Sequence, residues 1–179
     1  LHELGHAFSG RWFGVPTLDI TLMPIGGLGR MGTIPPRPWV EFVIAICGPL
    51  ANVAIAVLVL LTGQVRFFGE GETQSFQGLN AASQLFVVNV GLFLFNLLPV
   101  YPMDGGRVLL AGLQIFVERS KAMVWTARFG QLLAGALVLY GIATLQIGLV
   151  VIFGLMFFVC TVELFKRKIE EKLQESAAH

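Results

Sequence analysis

The chain has 179 residues, of which 55% are hydrophobic and 13% charged, with a net charge of +1 and a mean hydropathy of +0.77. A soluble domain carries about 25% charged residues, so this composition excludes a surface coated by water throughout and points to lipid as the covering medium. So little net charge, with no basic patch outside the tail, also argues against nucleic acid as a partner.

Residues 1–13 read as a helix that carries His2-Glu3-Leu4-Gly5-His6, an HExxH pattern. Positions i and i+4 of a helix share one face, so both imidazoles can address one cation. Glu3 stands beside the first of them, where it can hold and deprotonate a metal-bound water. Zinc used for hydrolysis needs three protein ligands and one open position. Ionisable groups in lipid are costly to desolvate, and a divalent cation offsets that cost for two histidines and a glutamate. The plainer alternative is a surface helix with incidental His and Glu, although chance yields this pattern only on the order of once in a hundred such chains. The sequence begins at Leu1 with no turn of helix before the pattern and reads as lacking an upstream segment.

Residues 14–38 are rich in Gly and Pro. Within them, residues 18–22 alternate roughly apolar and polar, and Ile25-Gly26-Gly27-Leu28-Gly29 follows, which predicts a short β-hairpin or re-entrant loop. Four apolar runs then follow, at about 41–62, 83–98, 123–144 and 147–165. Each is read as a transmembrane helix, for which about 20 residues are needed. The second is short, because Pro99 and Pro102 stop it early. Irregular backbone at membrane depth survives only where protein or a water-filled cavity covers it. The fold class is therefore an all-α polytopic membrane protein: a single domain over residues 1–179, a transmembrane helix bundle with a short β-hairpin or re-entrant loop. Residues 166–179 form a charged tail.

Lys and Arg orient this bundle. Arg30 and Arg37, then Arg107, Arg119 and Lys121, then Lys166, Arg167, Lys168 and Lys172 fall on one side if four spans cross, against Arg66 on the other. That asymmetry predicts a multi-pass cell-membrane protein whose Pro-rich loop and C-terminal tail are cytoplasmic. Cys47 and Cys160 lie inside apolar runs and read as small unpaired hydrophobes. Gly130, Ala134, Gly135 and Ala136 read as a close helix contact, and Glu41 as an acid at the positive end of a helix.

The third ligand has one strong candidate, Asp104, in Asn96-Leu-Leu-Pro-Val-Tyr-Pro-Met-Asp104-Gly-Gly-Arg. It follows the broken second span, and Gly105 and Gly106 let the backbone approach a neighbour closely. Asp104 also suits the N-cap of a helix starting near Gly105, and the two roles are compatible. Asn52, a lone Asn in a membrane helix, suits a hydrogen bond to a neighbouring helix or a donor to a reacting oxyanion.

The HELGH run, the Gly48-Pro49-Leu50-Ala51-Asn52 run and the Asn96…Pro99…Asp104-Gly105-Gly106 run, in that order, resemble the site-2 protease family (M50) of intramembrane metalloproteases, with Leu22-Met-Pro-Ile-Gly-Gly27 similar to the loop after the zinc helix in bacterial members. The resemblance implies one zinc ion per chain held by His2, His6 and Asp104, with Glu3 as catalytic base and Asn52 assisting substrate or transition-state binding. It implies regulated intramembrane proteolysis: hydrolysis of peptide bonds within or beside the bilayer, with a transmembrane protein as substrate and lipid as surroundings. The segment 19–30 then offers an edge for the substrate to join as an added strand, or is only a connection. The sequence departs from the family pattern in lacking its first transmembrane helix and any PDZ or CBS domain. The rival reading is a metal-binding membrane protein that does not hydrolyse: a transporter, a sensor or an inactive scaffold. Glu3 tells against it, since a transport site needs no base beside its first ligand.

Overall fold

The computed structural model describes residues 1–15, 17–23, 26–31, 37–66, 76 and 79–177. In chain order the elements are α1 (His2–Trp12), β1 (Thr17–Met23), β2 (Gly26–Met31), α2 (Pro38–Leu61), α3 (Ala81–Asn96), α4 (Asp104–Leu113), α5 (Arg119–Ala143) and α6 (Ile147–Ala177). They form two compact units, residues 1–35 with 43–97, and residues 36–42 with 98–179.

In the first unit, α1 ends where Gly14 turns to φ +72°. The Val15 N–H there donates to the Gly10 carbonyl at 2.9 Å, the left-handed closure that glycine allows without strain. Strands β1 and β2 pair antiparallel, with Asp19 opposite Arg30 and Met23 opposite Gly26, and the register is irregular between Thr17 and Asp19. Both strands lie against α1. Helix α3 starts at Asn80, whose side chain accepts from the Ser83 N–H at 2.8 Å. The buried Ser83 hydroxyl bonds both backbone groups of Arg66 at 2.7 Å. Helix α3 thus begins two residues ahead of the expected boundary, because an apolar run does not register the polar cap and the first turn that it starts.

In the second unit, α5 and α6 pack along each other. Ala134 is fully buried, and a Cβ added at Gly130 would come 3.1 Å from the Cys160 sulfur. The small residues on α5 thus permit close helix packing, as their pattern predicts. Leu110, Ala122 and Met123 form a core where α4 meets α5, with Tyr101, Leu113 and Val117 around it. Glu41, 4% exposed, accepts from Arg119 at 2.7 Å and from Gln114 Nε2 at 3.0 Å. Its place in the first turn of α2 is therefore only half of its role, the other half being a cross-element ion pair.

Among the described residues, three helices are long and apolar enough to cross a membrane: α2, α5 and residues 147–170 of α6. The expected second span is the exception. Its helix, α3, has 16 residues, about 24 Å at 1.5 Å per residue, which falls short of a hydrocarbon core of about 30 Å. The apolar stretch of α6 is only 11% buried inside the protein, and Val151, Leu155 and Phe158 face outward from it. An apolar surface of that extent needs lipid to cover it. The tail continues α6 without a break, supported by ion pairs from Arg167 to Glu163 and Glu170.

Candidate metal centre

Helix α1 carries His2 and His6 one turn apart, with Glu3 half-buried in its first turn. Opposite them, α2 presents Ile44, Gly48 and Asn52, spaced i, i+4 and i+8 and so on one helix face. The two stripes meet in antiparallel order. His6 Nδ1 lies 2.7 Å from the Ile44 carbonyl oxygen, and His2 Nδ1 lies 3.1 Å from the Asn52 carboxamide. A carbonyl oxygen only accepts, so Nδ1 of His6 is the donor, and in the neutral imidazole Nε2 then keeps its lone pair. The two Nε2 atoms stand 3.1 Å apart. Nitrogens at about 2.0–2.1 Å from one tetrahedral zinc would be about 3.3 Å apart, so this pair fits a shared zinc with little adjustment.

The closeness of the two helices has a visible cause. A Cβ at Gly5 would come within 2.5 Å of the Cys47 carbonyl oxygen, and one at Gly48 would overlap His6 Nε2. The seat for the imidazole pair exists because both positions lack a side chain. Pattern reading passes over Ile44 altogether, and it picks out Gly48 only as part of a motif, without its place against His6. Gly48 carries a signal, being one helical turn before Asn52, but the Ile44 contribution is a backbone carbonyl and no residue type marks it.

In the second unit, Asp104 is the first residue of α4, and Met103 takes the N-cap position expected of Asp104. The residue is 7% exposed, and its carboxylate lies 3.8 Å from Arg107, one turn on. Gly106 behind it allows the helix to press on residues 100–101, where a Cβ would come 2.7 Å from the Tyr101 nitrogen. The structure thus gathers His2, His6 and Asn52 in one unit with Glu3 next to His2, and places Asp104 at a buried helix start in the other.

Fold and site define a polytopic helical membrane protein with a metal-ready HExxH helix. The family model for Peptidase family M50 matches residues 1–84 and 61–137, and the chain belongs to that family. It is 35% identical over 158 residues to a zinc metalloprotease of Methanocaldococcus jannaschii, covering 88% of this chain and 44% of that protein's length. The structure resembles a solved site-2 protease from Methanocaldococcus jannaschii with a TM-score of 0.70 and 34% identity, over 92% of this chain and 72% of that one. The chain spans less than half the length of the curated zinc metalloprotease it matches.

Proposed function

We propose that the chain is the core of an intramembrane zinc metalloprotease, hydrolysing peptide bonds in transmembrane or membrane-proximal segments of protein substrates. The observation that carries this reading is the imidazole pair, with Nε2 atoms 3.1 Å apart and the His6 ring tied at Nδ1 to a backbone carbonyl. The proposed ligands are His2, His6 and Asp104, two ring nitrogens and one carboxylate oxygen. The burial of Asp104 supports its part, since Arg107 stands off at 3.8 Å and a buried carboxylate gains from a cation at closer range.

When bound, zinc supplies Lewis acidity that activates water and polarises the scissile carbonyl. Glu3 takes the proton from the attacking water and then delivers it to the leaving amine. The strands β1 and β2 are read as a hairpin beside the zinc helix. Its open edge is assigned to the substrate, whose scissile segment must leave its helix to be cut. The Lys and Arg distribution supports placing residues 14–38 and the tail in the cytoplasm.

The test is zinc content and cleavage of a reporter transmembrane substrate by the full-length protein, beside Glu3→Gln. Stoichiometric zinc in both, with turnover lost in Glu3→Gln by a factor of about 10²–10⁴, is the expected result. Equal turnover in the two overturns the mechanism, and zinc without any turnover in the parent favours a metal-binding protein that does not hydrolyse.

A further inference from the structure

Each histidine ring has a second nitrogen, and what holds that atom decides where the first one points. For His6 the holder is the Ile44 carbonyl at 2.7 Å. For His2 it is the carboxamide of Asn52, 3.1 Å from Nδ1. Asn52 is 2% exposed and lies eight residues beyond Ile44 on the same face of α2. A site so closed has little room for a substrate contact and a direct bearing on the ring.

We propose that Asn52 is a positioning residue for the metal site, its carboxamide oxygen accepting the Nδ1–H of His2 and so holding Nε2 of that ring toward Nε2 of His6. This rests on the zinc-ligand reading given above. A ring that ligates through Nε2 carries its proton on Nδ1 and requires an acceptor there. The terminal atom beside Nδ1 in the structure is Nδ2. Amide nitrogen and oxygen have the same shape, so the partner dictates which end faces it, and a half-turn of χ2 supplies the acceptor. Both rings are then tied at Nδ1 by an oxygen of α2, one from the backbone and one from a side chain. The second tie is the one that substitution can remove.

The experiment measures zinc affinity by competition with a chelator in the full-length protein, comparing the parent, Asn52→Leu and Asn52→Asp. Leu keeps the volume and has no acceptor, whereas Asp is an acceptor of the same shape. Asn52→Leu should lose zinc affinity by about 10–100-fold, and Asn52→Asp should stay close to the parent. Cobalt substitution should give altered d–d absorption in the Leu variant and parent-like absorption in the Asp variant. Parent-like zinc affinity and cobalt spectrum in Asn52→Leu, with or without a raised KM, overturn the inference and leave the zinc site standing. A parent that binds no zinc overturns the functional reading itself. Nitrogen NMR of the zinc-loaded parent covers the case of a Leu variant that does not fold: His2 Nδ1 should carry a slowly exchanging proton, and an unprotonated Nδ1 overturns the proposal.

Discussion

Gly48 of α2 stands against the His6 imidazole so closely that a Cβ at position 48 would overlap Nε2. The ring nitrogen assigned to the metal and the backbone of the neighbouring helix thus occupy adjoining space, with nothing to spare. Helix α1 approaches α2 at this level because Gly5 and Gly48 both lack side chains, and the hydrogen bonds to Ile44 and Asn52 depend on that approach.

Gly48→Ala should therefore act on metal binding as well as on folding. Forcing one methyl into a packed contact costs about 1–3 kcal/mol, and relief here requires the His6 ring to move. Zinc affinity should fall by about 10-fold or more, converting the lower end of that cost at 1.4 kcal/mol per decade. The control is Gly91→Ala on α3, where a Cβ meets nothing within 4 Å. That variant should match the parent in zinc affinity. Equal zinc affinity in Gly48→Ala and Gly91→Ala, measured by chelator competition, would show that the close contact is not what seats His6.

Asp104→Asn tests the proposed third ligand. Asp104 stands inside the first turn of helix α4, with Met103 at the N-cap position, and Asn keeps its shape there. The substitution removes a negative charge from a buried site while keeping its shape. Zinc affinity should drop by at least about 100-fold, since a neutral amide oxygen is a far weaker ligand than a carboxylate. Helix content should be unchanged by circular dichroism. Stoichiometric zinc at parent affinity would remove Asp104 from the ligand set.

The Glu41–Arg119 pair, 2.7 Å apart, predicts an effect on stability with no effect on zinc. Arg119→Ala leaves Glu41, 4% exposed, with the Gln114 hydrogen bond and no guanidinium beside it. Breaking a fully buried pair costs about 3–5 kcal/mol, but Arg119 is 44% exposed at its side chain, and solvent screening reduces the loss. About 1–2 kcal/mol is expected, seen as a lower thermal midpoint in detergent. Restoring neutrality with Glu41→Gln in the Arg119→Ala background should recover part of it. No recovery would mean that the charge is not what the site misses.

Much of the site was legible because it is written in residue types. HELGH names the helix and its face, and Asp104 stands out as a carboxylate beside a broken apolar run. What stayed hidden was written in backbone or in absence of atoms: the Ile44 carbonyl, and the bare surface of Gly48. The contact of Asn52 with His2 was hidden for a different reason. The sequence shows an Asn in an apolar helix, but not which helix it faces, so a role at the ring and a role at the substrate look alike. For the fold, hydropathy located the long helices α2, α5 and α6, because an apolar run is itself the cause of a membrane helix. For α3 it gave the right length, 16 residues, but set the bounds two residues late, since apolar character does not register the polar Asn80 cap.

The strands beside α1 leave one edge each for a substrate to join. A two-stranded antiparallel ladder pairs each strand on one side, and along the strand alternate N–H groups point toward the partner or away from it. An added strand would use those that point away. Proline at such a position removes one donor and leaves the ladder intact, whereas proline at an inward position breaks the ladder. Placing proline in turn at Ile20, Thr21, Leu28 and Gly29, which form two adjacent paired rungs, samples both kinds on both strands. On the strand that receives the substrate, the outward variant should raise KM about 10-fold, the loss of roughly one backbone hydrogen bond. Its zinc content should equal the parent's, because the imidazole pair is held by α2. If every variant that keeps zinc also keeps the parental KM, neither strand edge carries the substrate, and the ladder only connects α1 to α2.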